Sequence, residues 1–189
     1  ICWDARGHGG SSAPAEVESY TMPALAADLR GLLEALDAAD GAVVGGISFG
    51  GQIVTQYAVD HPDNTYAVIV SDSTTRGSDS PPRPSRSFEE WAGDPGMEGC
   101  MRAMRERPDL TRALTTLDVP ALLIVGMQDD LILPGFHGIS NALPRRRVVY
   151  LDGCGHGTSG QRPHEWNQAV LDFLRDVDAG AALGEDITL

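Results

Sequence analysis

Ser48 stands in Gly46-Ile47-Ser48-Phe49-Gly50, a G-x-S-x-G pattern set between a strand-like run and a helix-like one. That setting has a specific physical consequence. A nucleophile on a sharp strand-to-helix turn is lifted above the sheet, and its backbone is strained. Close packing around such a turn calls for near-absent side chains two positions either side, here Gly46 and Gly50. The Phe49 N–H, at the start of the helix, can point at an oxyanion developing on an attacked carbonyl.

A serine hydroxyl is a poor nucleophile at neutral pH and needs a base. His156, in Gly153-Cys154-Gly155-His156-Gly157, follows the last strand-like run and precedes the last helical pattern. The other histidines have blander settings. His8 lies in a Gly-rich turn, His61 at a helix end before Pro62, His137 in a loop after Pro134-Gly135, and His164 in a first helical turn. The imidazole must then be held in one tautomer and its cation balanced, which is a carboxylate's role. Asp129, three residues beyond Gly126, is the first candidate; Asp130 beside it and Asp72, just past Val70, are the alternatives.

The elements that must carry these residues are legible as alternating textures. Thr21, Pro23 and the leucines at 25, 29, 32, 33 and 36 predict a capped helix over 21–38. Apolar runs at 42–47, 67–70, 121–125 and 147–151 have the length of buried strands, and the opening residues read as the end of a strand near Trp3 running into a Gly-rich turn. Helices are expected from Phe49 to Val59, between Gly99 and Arg107, near 110–117, and from Pro163 to Val177. Residues 72–98 are rich in Ser, Gly, Pro and Asp and read as a loop or reduced lid; the tail beyond Asp178 reads as frayed. Continuous apolar strands alternating with helices mean a parallel sheet covered on both faces. Ligands in such sheets sit outside the strands' carboxyl ends, where every group named above falls.

Composition narrows the partners. Fourteen basic against 27 acidic side chains give a formal net charge of −13 over 189 residues. Nucleic acid and anionic membrane surfaces need a basic face, so neither is expected as a partner. Three scattered cysteines (Cys2, Cys100, Cys154) suit neither a disulfide framework nor a zinc site, and point to a reducing, cytoplasmic setting. Apolar runs fall well short of the ~18 residues of a membrane span. The chain opens at Ile1 and not at Met, so a piece of a longer polypeptide is expected.

Four segments together resemble the α/β-hydrolase superfamily. Asp4-Ala5-Arg6-Gly7-His8-Gly9-Gly10-Ser11 looks like its D-x-R-G-H-G-x-S turn, and Gly46 to Gly51 like its nucleophile elbow. Pro120 to Pro134 is similar to its acid-bearing segment; Gly153 to His156 with Arg162-Pro163 and 169–174 resembles its histidine loop and last helix. The chain order Ser, Asp, His is also the superfamily's. The resemblance covers nearly the whole chain apart from 74–108, and leans toward the enol-lactone hydrolases and small-ester esterases.

What the resemblance implies is a single domain over 1–189, with a reduced lid at 74–108. Its function would be hydrolysis of a small-molecule carboxylic ester or lactone by Ser48, Asp129 and His156, with Phe49 as oxyanion donor and no metal or organic cofactor. The same triad serves amidases, C–C hydrolases, acyltransferases and cofactor-free perhydrolases, so these stay open. Serine at 48 argues against dehalogenase chemistry. Two departures matter. The superfamily's opening strands are missing, with the loop that supplies a second oxyanion N–H; an inner sheet edge is therefore expected bare, completed by another chain or segment. The lid is also short. The first departure favours a rival reading, a truncated binding module without turnover, which the intact triad disfavours.

Overall fold

Runs of apolar residues on both sides of the pleat leave a strand no wet face, and here they assemble in parallel. The computed structural model describes residues 1–75 and 93–189. Strands β1 (Ala42–Ile47), β2 (Thr65–Ser71), β3 (Ala121–Gly126), β4 (Arg146–Leu151) and β5 (Asp186–Thr188) form one parallel sheet in the order β1-β2-β3-β4-β5. Alternate residues feed two cores. Val68, Val70, Leu123, Val125 and Val148 pack in one cluster with residues of helices α1 (Met22–Ala35), α2 (Phe49–Asp60) and two later helices. Ala67, Ile69, Leu122, Ile124 and Val149 pack in another with Ala169 and Phe173. Phe173 is wholly buried, and an apolar side chain so placed stabilises by roughly 1.5–3 kcal/mol.

The expected α1 forms with its expected cap: Thr21 Oγ1 accepts from the Ala24 N–H at 3.2 Å, and Pro23 sits in the first turn. Between β2 and β3 lie α3 (Pro95–Glu106) and the short α4 (Thr111–Leu114). Residues 76–92 of the expected lid lie outside the described residues. The described remainder is firmer than a loop. Asp94 Oδ1 caps α3 through Gly96 and Met97, and α3 buries Gly96, Gly99, Cys100 and Ala103. Its Gly99 lies so close to Tyr20 that an added Cβ would stand 2.2 Å from the ring. The helix begins four residues before the sequence suggests, because Pro95-Gly96 reads as a breaker but serves as a first turn.

Three further expectations need correction. His137, expected in a loop after Pro134-Gly135, lies instead in a helix, α5 (Leu133–Ala142). Phe136, Ile139 and Ala142 are buried on its inner side, with Ile132 and Leu143 buried at its two caps. The chain continues through α6 (Thr158–Gln161) and α7 (Pro163–Asp178), and the tail is not frayed, since β5 pairs with β4 from Val148↔Asp186 to Tyr150↔Thr188. The strand expected to end near Trp3 is not formed; a strand needs a neighbour, and no described residue pairs with 1–5.

Among the described residues, no strand pairs with the far side of β1. β1 is the end strand, and Val43 and Ile47 are 43% and 37% exposed, high for apolar side chains in a parallel sheet. A groove of about 960 Å³ separates it from the opening segment, lined by Trp3, Val43, Gly45, Ile47 and Ile53 among others. It runs up to Phe49 and Gly50 at the turn after β1.

Candidate active site

Parallel register puts the strands' carboxyl ends level. Ile47 pairs with Ser71, Ser71 with Ile124, and Gly126 with Leu151. Ser48, Asp72, Asp129 and His156 therefore emerge at one edge of the sheet, each within five residues of its strand.

Ser48 has φ +53°, the left-handed region that a non-glycine residue enters only at a cost. It precedes α2, and its side chain makes no capping bond there, which leaves Oγ for another partner. That partner is His156 Nε2, at 3.0 Å. The turn is closed by backbone contact: a Cβ on Gly46 would stand 2.2 Å from the Gly50 carbonyl carbon. The expected requirement for glycine at 50 is corrected, because a Cβ there meets nothing within 4 Å. The second crowded position is Gly51, whose Cβ would lie 2.7 Å from Ser73 Cβ. Gly46→Ala is thus expected to displace the turn, and with it Ser48. Measured by fluorophosphonate labelling and a thermal melt, it should abolish labelling, whereas Gly50→Ala should keep it.

Asp129 and His156 meet because two loops touch backbone to backbone. Gln128 N–H donates to Cys154 O at 2.9 Å, and a Cβ on Gly126 would sit 2.5 Å from the Cys154 and Gly155 oxygens. Only glycine permits that approach. It brings Asp129 Oδ2 to 2.8 Å from His156 Nδ1. Asp129 is buried, and its Oδ1 accepts from the Leu131 and Ile132 N–H groups at 3.2 and 3.1 Å. Gln161 steadies the histidine loop from behind, donating to His156 O at 2.6 Å and accepting from Gly155 N–H at 3.2 Å.

The alternative acids separate on position. Asp130 is exposed, and Asp72 is buried but turned to Thr158, whose N–H and hydroxyl it accepts at 2.9 and 2.8 Å. Neither is the group on His156 Nδ1. The Phe49 N–H is the first of α2, among the amides a helix leaves without an internal acceptor. His8 stacks on the Phe49 ring with centroids 5.5 Å apart, and so flanks the turn without joining the Ser–His–Asp contact. Its Nδ1 is 3.7 Å from Cys100 Sγ, but burial pushes that thiol up to about 11, so it stays protonated at neutral pH and is no rival nucleophile. Arg6 pairs with Asp28 at 2.6 and 2.7 Å and not with Asp4, which instead accepts from Gly10 N–H.

Among the described residues, no cluster of three His, Cys, Asp or Glu side chains could hold a metal ion, and no helix is long and apolar enough to cross a membrane. A hydroxyl hydrogen-bonded to an imidazole, itself hydrogen-bonded to a buried carboxylate, is an arrangement suited to nucleophilic attack on a carbonyl.

The family model for the alpha/beta hydrolase fold matches residues 1–98. The chain belongs to that family. Among solved alpha/beta hydrolases, it is similar to a thermophilic esterase from Thermogutta terrifontis at 26% identity and TM-score 0.81, over 92% of this chain and 78% of that one. It is similar also to the enol-lactonase from Burkholderia xenovorans LB400 at 25% identity and TM-score 0.77, over 91% and 79%. A shorter likeness is to human ABHD14B, a protein named as a candidate protein-lysine deacylase: 34% identity over 62 residues. That match spans 33% of this chain and 29% of the relative's length.

Proposed function

We propose that this alpha/beta hydrolase cleaves a small carboxylic ester or lactone through an acyl-enzyme on Ser48. The observation that carries the reading is the continuous contact from Ser48 Oγ through His156 to Asp129, at 3.0 and 2.8 Å, on a turn with a left-handed serine. The esterase and enol-lactonase likenesses support the substrate class. His156 Nε2 takes the Ser48 proton as Oγ bonds to the carbonyl carbon, and the carbonyl π pair moves onto oxygen. The Phe49 N–H meets that oxyanion. His156 then gives its proton to the leaving alcohol oxygen as the C–O bond breaks. Water, deprotonated by His156, repeats the attack and releases the acid. Asp129 holds the imidazole and balances its charge throughout.

The second oxyanion donor comes, on this reading, from another chain or segment that completes the sheet at the groove beside β1. One missing donor typically costs ~10²–10³ in turnover, which lowers the rate of the chain alone without removing the nucleophile.

The test is treatment with a fluorophosphonate followed by peptide mass mapping. An adduct on Ser48, lost in His156→Ala, is the expected result. A folded chain that gives no adduct at Ser48 would overturn the catalytic reading and leave the ligand-binding alternative. Unlabelled protein is then assayed on aryl esters and lactones. An acyl-lysine peptide is included because of the ABHD14B likeness.

A further inference from the structure

We infer that Asp72 is a positioning residue, and that Ser71-Asp72-Ser73 forms a bracket holding the nucleophile turn and the histidine loop in register. The inference rests on the Ser48–His156–Asp129 reading above.

Asp72 first presents a puzzle. It is wholly buried, at 0% exposure, and Oδ1 has no hydrogen-bond partner among the described residues. Its backbone stands at φ +49°, in the left-handed region. Such a residue is held there by its surroundings at a cost, and a half-satisfied buried carboxylate adds to it. Neither is explained by packing.

The contacts supply the explanation. On one side, Oδ2 accepts the Thr158 N–H at 2.9 Å and the Thr158 hydroxyl at 2.8 Å. Thr158 lies two residues beyond His156, across Gly157 at φ +87°. Proton directions along the chain are then fixed. Trp166 Nε1–H donates to Ser71 Oγ at 3.1 Å. The Thr158 proton is committed to Asp72, so Thr158 Oγ1, at 2.9 Å, is free to accept from the Ser71 hydroxyl; Asp72 Oδ2 is farther from it, at 3.3 Å. The series Trp166, Ser71, Thr158 ends on the carboxylate, which must accept and not donate.

On the other side, the same three residues grip the serine. Ser48 N–H donates to Ser71 O at 2.9 Å, and the Ser73 hydroxyl donates to Ser48 O at 2.9 Å. The Asp72 N–H is itself fixed to Ile124 O at 2.9 Å, which ties the bracket to β3. One short segment thus touches both loops whose separation sets the Ser48–His156 contact. Asp72 acts through Thr158 and touches neither reacting atom.

Asp72→Ala, Asp72→Asn and Thr158→Val separate this role from mere stability. Turnover per site titrated by fluorophosphonate is read with KM, and the downfield Nδ1–H proton of His156 is read by NMR. A purely structural role would lower the titrated fraction and leave turnover per site intact. Positioning predicts that Asp72→Ala lowers kcat per site by ~10–100-fold, since a misplacement near 1 Å is worth about 10². KM should stay within about twofold, and the His156 proton signal should be lost or broadened. Asp72→Asn should restore kcat to within about fivefold, because its side-chain oxygen still accepts from Thr158. Should Asp72→Ala fail to fold, Thr158→Val carries the test through the lost hydroxyl. Unchanged kcat per site and an unchanged His156 signal in the folded variant overturn the inference. If the wild-type chain gives no adduct at Ser48, the triad reading fails separately, and the His156 signal alone decides the bracket.

Discussion

Ser48→Ala is expected to lower kcat on any ester the chain hydrolyses by about 10⁶, and adding His156→Ala should cost almost nothing more. The reasoning is geometric. Ser48 Oγ stands 3.0 Å from His156 Nε2, so the base has one proton to take. Once that proton is gone, the base has no function in the attack, and the two losses cannot add. What survives comes from substrate binding and the Phe49 N–H. Side-chain truncation leaves the backbone bonds of the turn in place, including Ser48 N–H to Ser71 O and Gln52 N–H to Ser48 O. The variant should therefore fold, as circular dichroism and a thermal melt would check. Single and double variants are compared at saturating substrate. Losses that multiply would mean that serine and histidine act independently, and the covalent mechanism would fall.

Ser48, Asp129 and His156 are legible in the sequence as candidates because each follows an apolar strand, and parallel pairing levels the strands' ends. What it could not reveal depends on neighbours distant in the chain. Asp72, Asp129 and Asp130 all follow strands, and only the loop contact at Gly126 decides which one reaches His156. Glycine at 51 matters because Ser73 lies against it, while the motif drew attention to Gly50. Thr158 carries no motif at all, yet it joins the histidine loop to Asp72. Two elements were hidden for local reasons. In α5, Pro134, Gly135 and Gly138 masked a repeat at Ile132, Phe136, Ile139 and Leu143 that a strict count of spacing would have found. In β5, an acidic tail with one apolar residue inside the strand gains its structure from the ladder with β4, which no local propensity reports.

Asp129→Asn is expected to lower kcat by ~10⁴, with the fold unchanged, while Asp130→Asn stays near wild type. The size follows from where protons are forced to go. Asp129 Oδ1 accepts from the Leu131 and Ile132 N–H groups, so an asparagine there must set its oxygen toward those donors. Its NH₂ then faces His156 Nδ1, where Oδ2 stood at 2.8 Å. A donor opposite Nδ1 makes Nδ1 the acceptor and moves the imidazole proton to Nε2. Nε2–H now points at Ser48 Oγ and cannot take its proton. The nucleophile, the turn and the Phe49 N–H all remain, yet the base holds the wrong tautomer. Nitrogen-15 shifts of the His156 ring would show the exchanged proton directly, alongside the rate. A large loss in Asp130→Asn, with Asp129→Asn active, would move the acid one residue along the loop and refute the assignment of Asp129.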